Sequence, residues 1–219
     1  MIFRVAVSRC PILMLKLLAP VGKVFQPDIL MLIVDFYKKL SQKRCLSLDS
    51  EELRSKFQEL SKKQHPDAGG HEEGFAQLNQ AHQILSNPAS RIGHLYELIF
   101  EDSLKSDGSL SPEVMDLFGE IGKIISSADL FIKKKSQTLS SIGEAMLSKE
   151  LARVQSDLFE ASGKVRSAKS KIIESFAEID RLLDAETGSA KLKMEISFRD
   201  ISFLLKWEKE VMHRMQSII

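Results

Sequence analysis

The stretch "SKKQHPDAGG", residues 61–70, places a rigid, charged corner at the end of a lysine-rich helical pattern. Upstream of it, Leu53, Phe57 and Leu60 recur at i, i+4 and i+7, which predicts a helix with one buried face. Pro66 ends that helix, because a proline disfavours helical geometry in the residue before it. The corner is therefore either an ordinary turn or a surface that another protein recognises.

A second helix is predicted directly after the corner. The stretch "HEEGFAQLNQAHQILSN", residues 71–87, has acids in its first turn and apolar residues at steps of three and four. Before the first helix, Asp49 stands three residues ahead of Glu52, which is the pattern of a capping box. The two helices would form an antiparallel pair with the corner at its tip.

The second half of the chain is helical by the same criterion. The polar stretch "EDSLKSDGSLSP", residues 101–112, predicts a linker and domain boundary. Beyond it, apolar positions from Leu147 to Leu183 follow steps of three and four, the seam of one long helix, which "ETGSA" at 186–190 ends. An apolar stripe precedes that helix and an amphipathic helix follows it. We therefore predict an all-α protein in which residues 113–219 form an antiparallel three-helix bundle.

Composition narrows the range of functions. The 219 residues are 43% hydrophobic and 28% charged with a net charge of +1, which argues against nucleic-acid binding through a basic face. Cys10 and Cys45 form neither a metal-type spacing nor a disulfide framework, which favours a reducing compartment. His71 and His82 have no third ligand at metal spacing, and the sequence has no phosphate-binding loop or nucleophile elbow. We expect no enzymatic activity, no catalytic residue, no metal and no cofactor.

The first thirty residues differ from the rest of the chain. They carry four basic residues and no acid before Asp28, and Pro11, Lys16 and Pro20 interrupt the apolar run, so stable membrane insertion is not expected. Residues 1–30 are interpreted as a targeting leader, a peripheral membrane contact or translation begun upstream of the true start, and are expected to be disordered. The expected location is cytoplasmic, or the mitochondrial matrix if these residues are a transit peptide.

The string that follows the corner connects it to a known family. "LNQAHQILSNPASR", residues 78–91, is similar to the third helix of the J domain of DnaJ-type co-chaperones, which typically reads "INxAYxxLSDPxxR". That family carries the tripeptide HPD in the loop of a two-helix hairpin, so residues 31–100 are identified as a J domain. The resemblance implies that this loop stimulates ATP hydrolysis by a DnaK/HscA-type chaperone, while basic residues of the preceding helix dock on the chaperone's acidic surface. The implied chaperone-binding residues are His65, Pro66, Asp67, Arg54, Lys62 and Lys63.

The rest of the chain resembles one branch of that family. It has no glycine/phenylalanine-rich linker and no CxxC repeat, and a J domain followed by a helical bundle is similar to HscB, the co-chaperone of iron–sulfur cluster biogenesis. The resemblance implies that the bundle binds an IscU-like iron–sulfur scaffold protein through an exposed apolar patch. Acids that flank this patch in the family are mostly missing, since Gly119 and Gly122 occupy comparable places. The implied scaffold-binding residues are Val114, Met115, Phe118 and Phe203, for which the bundle core is the plain alternative.

Three functions stay open at this point. The protein is a co-chaperone that delivers an IscU-like scaffold in iron–sulfur cluster assembly, a J-domain co-chaperone for another client, or a structural adaptor with a vestigial J domain. The long helical seam also allows a homo-oligomer to form through the C-terminal bundle. Stimulation of a chaperone's ATPase separates the first two functions from the third.

Overall fold

The computed structural model describes residues 34–65, 71–105, 107–138 and 140–218, except for the side chains of residues 141 and 144. Within these ranges the chain is helical and contains no strand, which confirms the all-α expectation. The helices are, in order, α1 (Phe36–Lys39), α2 (Ser50–Gln64), α3 (Glu72–Ser86), α4 (Pro88–Phe100), α5 (Pro112–Gln137), α6 (Ser141–Glu174), α7 (Phe176–Ala185) and α8 (Thr187–Ser217). The predicted leader, residues 1–30, lies outside the described residues, as do Pro66 and Asp67 of the corner.

Helix α2 begins and ends where local chemistry predicts. The carboxylate of Asp49 accepts hydrogen bonds from the amides of Glu51 and Glu52 at 2.8 and 3.0 Å, which satisfies two amides that the first turn leaves unpaired. At its other end the helix stops at Gln64, and His65 adopts an extended backbone with φ −63° and ψ 137°. That conformation is the one that a following proline favours.

Helices α2 and α3 form the predicted antiparallel pair. Phe57 of α2 stacks on His82 of α3 with ring centroids 4.0 Å apart, and nearer the tip His65 meets Phe75 edge-on at 5.2 Å. The contacting residues run in opposite chain order, so the two helices are antiparallel. Desolvation by burial lowers the pKa of His82, because burial disfavours the charged imidazole. His82 is therefore a packing residue of the hairpin.

Helix α4 packs the hairpin region against the C-terminal half of the chain. Arg91 places its guanidinium carbon 6.0 Å from the centre of the Phe176 ring on α7, and the Tyr96 hydroxyl donates a hydrogen bond to Glu195 on α8 at 2.9 Å. A first hydrophobic core therefore crosses the whole junction. It contains buried residues of α1–α4 and the loop before α2, together with Phe176, Ile179, Met194 and Ile201.

The long helix predicted for the second half is interrupted. The apolar seam that begins at Leu147 does not lie on one helix, because a turn at Ser175 separates α6 from α7. The Ser175 hydroxyl donates a hydrogen bond to the Ile172 carbonyl at 2.7 Å, a local bond that competes with helix continuation. Before the turn, Val165 lies in a second core; after it, Phe176 lies in the first. Because of this turn, apolar residues that follow one continuous pattern in the sequence pack in two different cores.

Helices α5, α6 and α8 form the predicted three-helix bundle around the second core. Ion pairs between α5 and α6 join residues in opposite chain order, whereas two contacts at different points along α5 and α8 each join residues 85 positions apart. Helix α6 is therefore antiparallel to α5, and α8 returns parallel to α5. The pairs that define these directions are Lys134–Glu150 and Lys164–Glu120 for the first, and Phe118–Phe203 and Asp129–Arg214 for the second.

Candidate functional sites

The tip of the α2–α3 pair presents His65. This residue is exposed at the end of α2, and its ring lies edge-on to Phe75 with the centroids 5.2 Å apart. Such an edge-to-face contact favours one orientation of the ring. His65 is thus held at the surface instead of being tucked into the core. Of the predicted HPD motif, Pro66 and Asp67 lie outside the described residues.

The three basic residues singled out on α2 are exposed. Arg54 pairs with Glu51 at 3.4 Å and Lys63 with Glu59 at 2.7 Å, and the hydrogen bond from Lys63 lowers the pKa of Glu59. Lys62 makes no ion pair with any residue that the structure describes. Exposed ion pairs contribute only about 0–1 kcal/mol, so these two pairs hold Arg54 and Lys63 only weakly.

Three aromatic side chains meet on the surface between α5 and α8. The centroids of Phe118, Phe203 and Trp207 are 5.6–5.7 Å apart in every pair, the spacing of tilted and edge-on aromatic contacts. Phe118 is 47% exposed and Met115, one turn earlier, is 49% exposed, whereas the other two rings are half-buried. We call these four residues the aromatic patch. It is a preformed apolar surface that is open to solvent.

Val114 has to be removed from the predicted scaffold-binding set. Val114 is 4% exposed and packs in the bundle core. Successive residues of a helix point about 100° apart, so Val114 and the exposed Met115 lie on different faces of α5. Trp207, by contrast, was missed by the sequence interpretation. It follows Phe203 by four positions, and that spacing, which places two side chains on one helix face, could have identified it.

The described ranges contain no candidate for two other kinds of site, a metal site and a membrane-spanning helix. Among these residues, no three histidine, cysteine, aspartate or glutamate side chains come together in a group that could hold a metal ion. None of the helices in the described part of the chain is both long enough and apolar enough to cross a membrane. The hairpin tip and the aromatic patch are two candidate sites for interaction.

The hairpin matches a known family. The model of the DnaJ domain family matches residues 35–93, so this segment is a J domain. The chaperone protein DnaJ of Thermosynechococcus vestitus is 40% identical over 63 residues, which cover 27% of this chain and 16% of that protein. Chaperone protein dnaJ 3 of Arabidopsis thaliana is 39% identical over 59 residues, which cover 27% of this chain and 14% of that protein. The chain thus spans only a small part of the length of these relatives.

The fold as a whole is similar to that of chaperone HscB from Vibrio cholerae. The solved structure of that protein superimposes with a TM-score of 0.55 and 21% sequence identity, covering 85% of this chain and all of the other (100%). The chain therefore has the HscB-like fold, a J domain followed by a C-terminal helical region. It resembles the J-domain co-chaperones of HscB architecture, as its sequence motifs predicted.

Proposed function

We propose that this protein is a co-chaperone that stimulates the ATPase of a DnaK/HscA-type chaperone and delivers an IscU-like scaffold protein in iron–sulfur cluster assembly. The observation that carries the proposal is the exposed His65 at the tip of an antiparallel hairpin, next to the basic helix α2. The J-domain match supports the chaperone partner, and the HscB-like fold supports the scaffold partner. In this proposal the protein performs no catalysis of its own.

Docking on the chaperone would begin with α2. Lys62 and Lys63 occupy the last turn of this helix, beside His65, so positive charge lies next to the tip. Attraction to an acidic surface accelerates the encounter and weakens as salt increases. Because α2 and α3 are already packed together, the hairpin presents the imidazole with little further loss of conformational entropy. The same helix thus supplies both attraction and the placement of His65.

Chaperone stimulation is tested with the substitution His65→Gln in the full chain. The change removes an exposed imidazole and leaves the stacked residues of the hairpin in place, so we expect stimulation to be lost while helical content stays the same. Steady-state ATP hydrolysis by the chaperone, with increasing amounts of protein, measures the effect. The matched control is His71→Gln, since His71 is exposed at the N-cap of α3 and makes no side-chain capping bond. Undiminished stimulation by His65→Gln would refute the proposed role.

The aromatic patch is the surface that we propose for scaffold binding. Its exposed members, Met115 and Phe118, stand beside the half-buried Phe203 and Trp207, so a partner can cover apolar surface without rearranging it. Binding energy in such interfaces concentrates in a few aromatic residues at the centre. Relative to the residues implied by the family resemblance, the proposed surface loses Val114 and gains Trp207.

Scaffold binding is tested with Phe203→Ala. Loss of an aromatic anchor should weaken binding about 30-fold, which corresponds to roughly 2 kcal/mol. Met115→Ala probes the same surface on an exposed side chain, and Phe159→Ala, on a phenylalanine of α6 that is 75% exposed, is the control and should bind like wild type. Isothermal titration calorimetry with an IscU-like scaffold measures the affinities. Equal affinity of all three variants would contradict this surface.

The same two assays separate the alternatives. Stimulation of the chaperone without binding of the scaffold would identify a J-domain co-chaperone for another client. A mass that grows with protein concentration in light scattering, with no effect on the ATPase, would identify a structural adaptor.

A further inference from the structure

A single carboxylate on α7 holds the loop between α1 and α2. Oδ1 of Asp180 accepts a hydrogen bond from the amide of Leu46 at 2.7 Å, and Oδ2 accepts from the amide and the hydroxyl of Ser47 at 2.9 and 2.5 Å. Three donors from two consecutive residues therefore converge on one side chain. Hydrogen bonds to carboxylates are roughly twice as strong as those between neutral groups.

Two further side chains hydrogen-bond to the same stretch of the loop. Arg91 of α4 donates a hydrogen bond to the carbonyl of Leu46 at 2.8 Å, and the Tyr37 hydroxyl donates to the carbonyl of Cys45 at 3.0 Å. The side chain of Leu46 is fully buried in the first core. Side chains of helices α1, α4 and α7 thus all form hydrogen bonds to this short stretch. The bonding residues of α1 and α4 lie within the J-domain match at residues 35–93, whereas α7 lies wholly outside it.

This stretch of the loop lies immediately before helix α2. Asp49, which caps α2, comes two residues after Ser47, and α2 leads directly to His65. On the other side, α7 continues from α6 of the bundle through the turn at Ser175. Asp180 therefore connects the helix that carries the hairpin tip to the helices that carry the C-terminal half.

We infer that Asp180 is a positioning residue that fixes the direction of the J-domain hairpin relative to the bundle. This role rests on the proposed function: a scaffold bound on the aromatic patch would then be presented to a chaperone bound at the hairpin in one geometry. A rigid connection of matching geometry raises the effective concentration of one ligand at the other's site, and a loose connection lowers it. Asp180 would act only through the hairpin and would contact neither partner.

A positioning role and a purely stabilising role of Asp180 lead to different results in the ATPase assay. If Asp180 only stabilises the fold, its loss should lower stimulation equally with and without scaffold. If it positions the hairpin, stimulation by the protein alone should persist, because the tip is intact. In this proposal a bound scaffold raises the stimulation further, and that increment should fall, because it depends on the relative placement of the two sites.

The experiment compares Asp180→Ala and Asp180→Asn with Asp184→Asn in the full chain. Asp184 lies one turn further along α7 and is exposed, and its side chain makes no hydrogen bond to another residue that the structure describes, so it is a matched control. Hydrogen exchange should be about tenfold faster at the amides of Leu46 and Ser47 in the Asp180 variants, because they lose a charged acceptor. The scaffold-dependent gain in ATPase should fall about fivefold or more, a typical coupling between two sites.

Each of the following outcomes either supports or overturns the positioning role of Asp180. Loss of amide protection together with loss of the scaffold-dependent gain supports the positioning role, and Ser47→Ala, which removes one donor of three, should give an intermediate effect. If amide protection is lost but the scaffold-dependent gain in ATPase is unchanged, or if neither changes, the positioning role is overturned while the proposed function stands. A wild-type protein that fails to stimulate the chaperone refutes the proposed function itself, and this role with it.

Discussion

The substitution His94→Leu isolates a buried hydrogen bond in the J domain. His94 is 6% exposed, and its Nε2 atom accepts a hydrogen bond from the backbone amide of Phe36 at 3.1 Å. Its ring also stacks on Tyr37, with the centroids 5.8 Å apart. Leucine is apolar and offers no acceptor, so the amide of Phe36 loses its partner. A buried donor left unpaired costs about 1–3 kcal/mol, which is the expected loss in the free energy of unfolding at neutral pH.

The pH dependence of this loss gives a sharper test. Desolvation by burial holds the pKa of His94 below its ordinary value of 6.5. The imidazolium carries hydrogen on both nitrogens and cannot accept the amide of Phe36. As the pH falls, the unfolded chain takes up the proton before the folded chain does. The stability that His94 contributes is therefore complete above about pH 6.5 and is lost as the pH falls through the lowered folded-state pKa.

For one proton, this loss is at most about 1.4 kcal/mol per pH unit, so wild type and His94→Leu should differ less at about pH 5.5 than at about pH 7.5. Urea unfolding followed by circular dichroism measures the free energies of unfolding. Burial also lowers the pKa of His82, so both proteins are compared in a His82→Phe background, which keeps a ring on Phe57. A difference that stays equal or grows at the lower pH would refute the reasoning.

Two further predictions concern the free energy of unfolding, one through a helix cap and the other through burial in the bundle core. Asn87→Ala removes the acceptor for the amide of Ser90 at 3.1 Å and should lower the free energy of unfolding by about 1 kcal/mol in urea titrations, whereas Asn87→Asp, which keeps an acceptor, should change it little. Leu158→Ala opens a cavity in the bundle core, where Leu158 is 0% exposed, and should cost about 2–5 kcal/mol. Phe159→Ala, on a side chain that is 75% exposed, should cost about 0.5 kcal/mol or less, and equal losses at the two positions would contradict the packing of α6.

The J domain was the part of the fold most open to prediction from sequence. Its signals are short-range: the cap at Asp49, the helix end before Pro66, and apolar spacing on each helix. Each depends on residues within one or two turns, so each can be read without knowledge of the rest of the chain. The string from residue 78 to 91 then supplied the family resemblance. The structure and the family match agree with both.

The bundle was predicted less completely. Steps of three and four identified apolar faces but gave no sign of the turn at Ser175, because the pattern continues in phase across it. The same pattern could not distinguish Val114, which is buried, from Met115 and Phe118, which are exposed. Both sets are apolar, and burial depends on which neighbouring helix covers each face. Trp207 differs from these residues, because its spacing of four positions from Phe203 already placed it on the same helix face.

By itself the sequence determined where the two helices of the hairpin begin and end, which faces of the helices are apolar, and that His65 lies between the two hairpin helices. These properties follow from backbone sterics, capping and side-chain spacing, all of which act over a few residues. Only the tertiary structure decided which faces meet. Phe118 contacts Phe203 across 85 positions, and Asp180 binds Leu46 across 134. Contacts over such distances depend on the direction in which whole helices pack, which no local pattern of residues specifies.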